Sequence, residues 1–137
     1  MLVSTRGRYA LRVMIDLAEH GHGKYIAMKE VAQRQEVSLK YMEKILRLLV
    51  SAGLVEGVHG KGGGYRLTRA PEDYTVREIL QLTEGSLAPV ACLECGAEAC
   101  KRSAECRTLP MWTELNRLVN GYLEQITLAD LMKKDPE

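Results

Sequence analysis

Apolar residues recur at helical spacing from the start of the chain. Ala10, Val13, Met14 and Leu17 share one face, Ser4 or Thr5 can cap, and Gly21-His22-Gly23 can stop the run, so the spacing predicts a helix to about His20. A second, short helix fits Met28–Gln35 with Val31 and Ala32 inward, followed by a break at Glu36-Val37. Ser38 then caps a third helix whose apolar stripe is Leu39, Met42, Ile45, Leu46, Leu49 and Val50, ending at Ala52-Gly53. The pattern next changes to alternation over 54–59, a Gly60-Lys61-Gly62-Gly63-Gly64 turn and a returning strand over 65–68. Thr75-Val76-Arg77-Glu78 reads as a capping box opening a fourth helix over about 76–83 that stops at Glu84-Gly85. After a polar stretch, Trp112, Leu115, Leu118, Val119, Tyr122 and Ile126 return to helical spacing over 111–126, and Thr127 with Asp130 suggests one more capped turn.

Short helix, brief turn and longer helix make a helix-turn-helix, and a hairpin directly after it makes a winged helix. The expected fold class is mainly α with a small β-hairpin wing. The winged helix-turn-helix domain occupies 1–85, a cysteine-rich loop 86–108, a long dimerisation helix 109–132 and a tail 133–137. The closing stripe follows a loop with little core of its own. It can pack back on its own domain, but pairing with a second copy is preferred, because helix-turn-helix proteins usually read two half-sites as dimers.

The polar face of the third helix carries the candidate chemistry. Lys40, Lys44, Arg47 and Ser51 form a basic stripe opposite the core, with Ser38, Tyr41 and Glu43 at its N-terminal end. Residues at that end of a recognition helix reach base edges in the major groove; Lys40 and Lys44 suit guanine or phosphate, and Glu43 suits a cytosine amino group. In the wing, His59, Lys61 and Arg66 add positive charge, while Gly62 and Gly63 let the tip lie close to a DNA backbone. A nucleotide-binding P-loop is rejected, since no Ser or Thr follows Lys61 and no helix opens there.

Charge supports the division. Residues 1–69 hold 12 Lys+Arg against 6 Asp+Glu, and 70–137 hold 7 against 12, so a net charge of +1 conceals a basic half and an acidic half. A polyanion such as double-stranded operator DNA suits only the first. No apolar run has the length of a membrane span and the N-terminus does not read as a signal peptide, so no membrane association and a cytoplasmic location are expected.

In that compartment clustered cysteines argue for metal or redox chemistry over structural disulfides. The chain's four cysteines, Cys92, Cys95, Cys100 and Cys106, fall within fifteen residues as C-x2-C-x4-C-x5-C. Thiolates hold zinc or iron–sulfur clusters. Structural zinc favours two paired knuckles, and only Cys92-x2-Cys95 resembles one, so the uneven spacing fits a cluster better. Zinc and a thiol–disulfide switch remain alternatives. No acid/base constellation accompanies the thiols, which argues against an enzyme.

Taken together, Gly7-Arg8-Tyr9-Ala10, Ser38-Leu39-x-Tyr41-Met42-Glu43, Gly53-Leu54-Val55, Gly60-x-Gly62-Gly63-Gly64-Tyr65, the cysteine loop and Trp112 resemble the Rrf-type winged-helix transcription regulators, the IscR/NsrR-like group, over nearly the whole chain. The resemblance implies a homodimeric DNA-binding regulator, a repressor by preference. It would sense iron–sulfur supply, redox state or nitric oxide through a cluster, with 2Fe–2S preferred to 4Fe–4S. Other members of the group use no cluster and control cysteine metabolism. Cys100 and Cys106 match the last two family cysteines, and either Cys92 or Cys95 matches the first. The family's usual fourth ligands are absent: Leu109 stands where IscR-like members have His, and Arg8 where NsrR-like members have an acidic residue. The inference is that Cys92 and Cys95 both ligate. His59 also stands where family members often carry an Arg that enters the minor groove.

Overall fold

A computed structural model describes residues 3–94 and 104–133. Its helices are α1 (Thr5–Gly21), α2 (Met28–Gln35), α3 (Leu39–Ser51), α4 (Val76–Glu84), α5 (Leu109–Gln125) and α6 (Leu128–Leu131). Between α3 and α4 lies an antiparallel hairpin, β1 (Val55–Val58) and β2 (Gly64–Leu67), followed by a short 3-10 turn at Pro71–Asp73. Among the described residues no helix is long and apolar enough to cross a membrane. The expected winged helix-turn-helix is present, with the first strand one residue shorter at each end than the alternation and the returning strand starting and ending one residue earlier.

Helix α1 is the hub, touching α2, α3, α4, α6 and β2. Ala10, Val13, Met14 and Leu17 enter the core with Val31, Met42, Ile45, Leu46 and Leu49. Leu39 and Val50, expected on the buried stripe of α3, are exposed. They lie together at one edge of the apolar arc, where Val50 lines the cleft between α3 and the hairpin. Ser4 caps α1 as anticipated, its Oγ accepting from the Gly7 amide at 3.1 Å.

The wing is pinned by a backbone approach that requires glycine. Ile26 exchanges two hydrogen bonds with Tyr65, at 2.9 and 2.8 Å, adding a single bridge to the hairpin edge. A Cβ at Gly64 would stand 2.3 Å from the Ile26 carbonyl oxygen. At the wing's base sits Tyr74, fully buried. Its hydroxyl donates to the Leu54 carbonyl at 2.7 Å and accepts from the Thr68 and Arg69 amides at 2.9 and 3.0 Å.

The capping box expected at Thr75 is half made. Thr75 accepts from the Glu78 amide at 3.1 Å, but the Glu78 carboxylate turns to Arg69 instead. The complete box is the later one, between Thr127 and Asp130. Helix α5 starts earlier than its apolar pattern suggests, at Leu109, because Pro110 in the first turn suits a helix start. Its stripe divides into two faces. Leu123 and Ile126 pack on the small cluster of Val76, Leu80 and Leu87 beside α4, and Trp112 and Val119 are half-buried. Met111, Leu115, Leu118 and Tyr122 are 54%, 39%, 53% and 63% exposed and fall at one side of the helix.

Removing the Tyr74 hydroxyl should take a partner from the Arg69 amide and leave the Thr68 amide and the Leu54 carbonyl only their long 3.4 Å bond to each other at the wing base. Tyr74→Phe is expected to lower unfolding stability by about 2–4 kcal/mol, read from urea denaturation at matched protein concentration.

Candidate nucleic-acid interface and cysteine site

The polar face of α3 is presented as the spacing predicts. Ser38 caps the helix, its Oγ accepting from the Tyr41 amide at 3.1 Å. Lys40, Glu43, Lys44 and Arg47 are exposed and Tyr41 is half-buried. Glu43 and Arg47 form an ion pair of 2.8 Å one turn apart, so these two charges largely offset each other on the free protein. None of the ion pairs among the described residues involves a lysine, which leaves Lys40 and Lys44 as the outward charges of the helix.

Helix and wing share one face. Glu43, Arg47, Val50, Gly57, Val58, His59 and Tyr65 line a cleft of about 270 Å³ between α3 and the hairpin. His59 and Lys61 stand exposed near the tip, where Gly62 adopts a left-handed backbone (φ 79°) and a Cβ at Gly63 would lie 2.2 Å from the Val58 carbonyl oxygen. Arg66, expected to add wing charge, is diverted. Its Nε donates to Glu56 across the hairpin, and its guanidinium lies 4.4 Å from the centre of the Tyr25 ring. The Glu56 hydrogen bond holds its pKa above the ordinary arginine value.

Behind this face is a polar network that the apolar pattern did not reveal. Asp16 is buried, and its carboxylate accepts from Arg34 Nε and Nη2 at 3.0 and 2.8 Å and from Gln35 Nε2 at 2.9 Å. The Asp16 hydrogen bond raises the Arg34 pKa above its ordinary value. Arg12 Nε donates to Gln35 Oε1 at 3.0 Å and its Nη2 to the Gln35 carbonyl, while its guanidinium lies 4.7 Å from the centre of the Tyr9 ring. Tyr9 in turn meets Tyr41 edge to face, with centroids 5.7 Å apart. One signal was available in the sequence: Asp16 lies on the buried side of α1, three residues after Val13 and next to Leu17.

Of the cysteines, Cys95 and Cys100 lie outside the described residues. Cys92 is exposed in a 3-10 turn at Ala91–Leu93. Cys106 is half-buried just ahead of α5, its Sγ 3.4 Å from Thr108 Oγ1. The two described thiols thus bracket the segment that carries the other two. Leu109 is the first residue of α5, and Arg8 is an exposed cation on α1 bonded to Thr5 Oγ1 at 3.2 Å. Neither offers a donor to a metal. Among the described residues, no three His, Cys, Asp or Glu side chains gather at one point.

A family profile described as "Rrf2: Iron-dependent Transcriptional regulator" matches residues 3–134. The chain is 39% identical to protein rrf2 of Nitratidesulfovibrio vulgaris over 133 residues, covering 97% of this chain and 88% of that one. Among solved structures it resembles CymR, the global cysteine regulator of B. subtilis, with a TM-score of 0.76, 34% identity and coverage of 96% and 95% of the two chains. It also resembles T. potens IscR, with a TM-score of 0.71, 30% identity and coverage of 98% and 94%.

The division between tied and outward charges is directly measurable on duplex DNA. Lys61→Gln, and Lys44→Gln likewise, should flatten the slope of log affinity against log salt by about 0.9, one phosphate contact each. Arg66→Gln should leave that slope unchanged, because its charge is already held by Glu56.

Proposed function

This chain belongs to the Rrf2 family and is a DNA-binding transcriptional regulator; from that premise we propose a homodimeric repressor whose DNA occupancy is set by an iron–sulfur cluster on Cys92, Cys95, Cys100 and Cys106. The observation that carries the reading is the shared face of α3 and the wing. Glu43 and Arg47 on the helix and His59 on the hairpin line one cleft, and to the DNA contact we assign with them Ser38, Lys40, Tyr41 and Lys44 of the same helix for the major groove and Lys61, Gly62 and Gly63 of the hairpin tip for the flanking backbone. Binding is by double-stranded DNA, with the lysines as the main phosphate contacts.

Dimerisation is assigned to α5. A monomer has no use for Met111, Leu115, Leu118 and Tyr122 in water along one helix face, and a second copy presenting the same face buries all four. Trp112, Val119 and Ile126, also expected at the seam, are half-buried, and Ile126 packs toward α4, so they support the seam from behind.

The thiols suit the group assigned to them. Four cysteines supply a complete ligand set within one subunit, which this chain requires because Leu109 and Arg8 replace the donors used elsewhere in the family. When bound, such a cluster supplies sensitivity to oxidants, nitric oxide and iron supply. The chain's own contribution is placement: the cysteine loop joins the domain that ends with α4 to the dimer helix α5, so ordering it differently shifts the relation of the two recognition helices.

A second reading follows from the similarity to the B. subtilis cysteine regulator. In it the chain represses genes of cysteine metabolism, and the thiols act as a disulfide switch or hold zinc.

Anaerobically purified protein should show visible absorption with matching iron and acid-labile sulfide. A colourless protein with one zinc per chain, or with four titratable thiols and no metal, would sink the cluster. Cys92→Ala and Cys95→Ala should each bleach or destabilise the chromophore; a variant with the native spectrum and stability would make that cysteine a bystander. Leu118→Glu should yield monomers by analytical ultracentrifugation and weaken DNA binding at least tenfold.

A further inference from the structure

The polar network built on buried Asp16 reaches, through Arg12 and Tyr9, a residue at the start of α3, Tyr41. Asp16 fixes Gln35 through its side-chain amide, and Arg12 fixes the same Gln35 through its amide oxygen and backbone carbonyl. Gln35 is the last residue of α2, directly before Glu36, whose left-handed backbone (φ 56°) turns the chain toward α3. On its other side Arg12 lies over Tyr9, and Tyr9 abuts Tyr41 in the first turn of α3. Arg12 therefore spans the turn, touching the end of α2 by hydrogen bonds and the start of α3 through two rings.

We propose that Arg12 is a positioning residue for DNA reading: it fixes the entry angle of α3 and the Tyr41 ring, and makes no phosphate contact of its own. Its Nε and one terminal nitrogen are committed to Gln35 and its face to Tyr9, so the side chain is oriented inward although it is solvent-exposed. Exposure also means that the core does not depend on it. A lysine at this position keeps the charge but has no planar fork able to bond Gln35 twice while lying flat on a ring. Sequence discrimination needs base-edge groups placed to within hydrogen-bond tolerance, whereas phosphate attraction tolerates small rotations. Loosening α3 should therefore reduce discrimination selectively.

The test rests on the DNA-binding assignment and starts by selecting a preferred duplex from a random pool with the wild-type protein. Affinity for that duplex and for a shuffled one is then measured across a salt series. Arg12→Gln and Arg12→Lys should both lose about tenfold in preference, about 1.4 kcal/mol, with unchanged salt slope and near-native melting temperature. Tyr9→Leu should behave in the same way, and Tyr9→Phe, which keeps the ring, like wild type. Wild-type discrimination in Arg12→Lys, or a slope reduced by about 0.9 in Arg12→Gln, would make Arg12 a phosphate contact and overturn the proposal. Unchanged discrimination in Arg12→Gln overturns it too. A large loss of stability in Arg12→Gln would assign the residue to the fold instead. Failure of the wild type to select any sequence would remove the DNA-binding premise itself, a result distinct from all of these.

Discussion

A carboxylate in the core constrains this fold more than any single apolar contact. An unpaired buried charge costs several kcal/mol, so Asp16 has to find cationic and amide donors within reach. It finds them at the end of α2, in Arg34 and Gln35, and in doing so ties α1 to the helix-turn-helix at its turn. Hydrophobic burial alone would let α2 slide or rotate against α1 with little change in area. Three directed hydrogen bonds to one carboxylate do not. The orientation of α3, which begins after a three-residue turn, is set from there.

A second polar anchor organises the other end of the domain. The Tyr74 hydroxyl gathers Leu54, Thr68 and Arg69, the residues flanking the two strands, so the hairpin leaves the body from one fixed point. The backbone of the same residue receives the returning C-terminal segment, its carbonyl accepting from the Leu128 amide at 3.0 Å while Val76 donates to Ile126 at 2.9 Å. The wing base, the start of α6 and the end of α5 thus hang from one short segment, Tyr74 to Val76. The loop with the cysteines departs from the far end of α4 and returns into the far end of α5, so this anchor closes the two helices at the ends opposite the loop.

Much of this architecture was legible in the residues. The bounds of α2, the Ser38 cap, the glycine-rich turn and the exposed Lys40 and Lys44 follow from local rules: periodicity, capping chemistry and backbone freedom. The parts that were not legible depend on partners distant in sequence. Glu78 has the right spacing for a capping box, but Arg69 competes for its carboxylate. Arg66 reads as wing charge until register places it opposite Glu56. The stripe of α5 reads as one face because helical spacing cannot say that α4 covers only part of it. Asp16 was visible as an acid on an apolar face, but its partners eighteen and nineteen residues away were not.

The same distinction corrects the charge argument that first suggested a polyanion partner. The excess of basic residues in the N-terminal half includes Arg34, Arg66 and Arg69, paired with Asp16, Glu56 and Glu78. Arg12 is likewise engaged internally, and Arg6 caps the end of α4 by donating to the Thr83 carbonyl at 2.8 Å. Arginine suits these tasks because its planar fork forms two directed bonds at once, whereas the lysine ammonium is a strongly hydrated point charge on a flexible stem. The protein divides its cations accordingly, with most of these arginines holding elements together and Lys40, Lys44 and Lys61 facing solvent. Net charge therefore overstates the electrostatic surface that the N-terminal half offers to a polyanion. Lys40 and Lys44 on α3 and Lys61 on the wing point outward, as do Arg8, Lys24 and Lys29 elsewhere on the domain, while the arginines that drop out of the count hold its elements together.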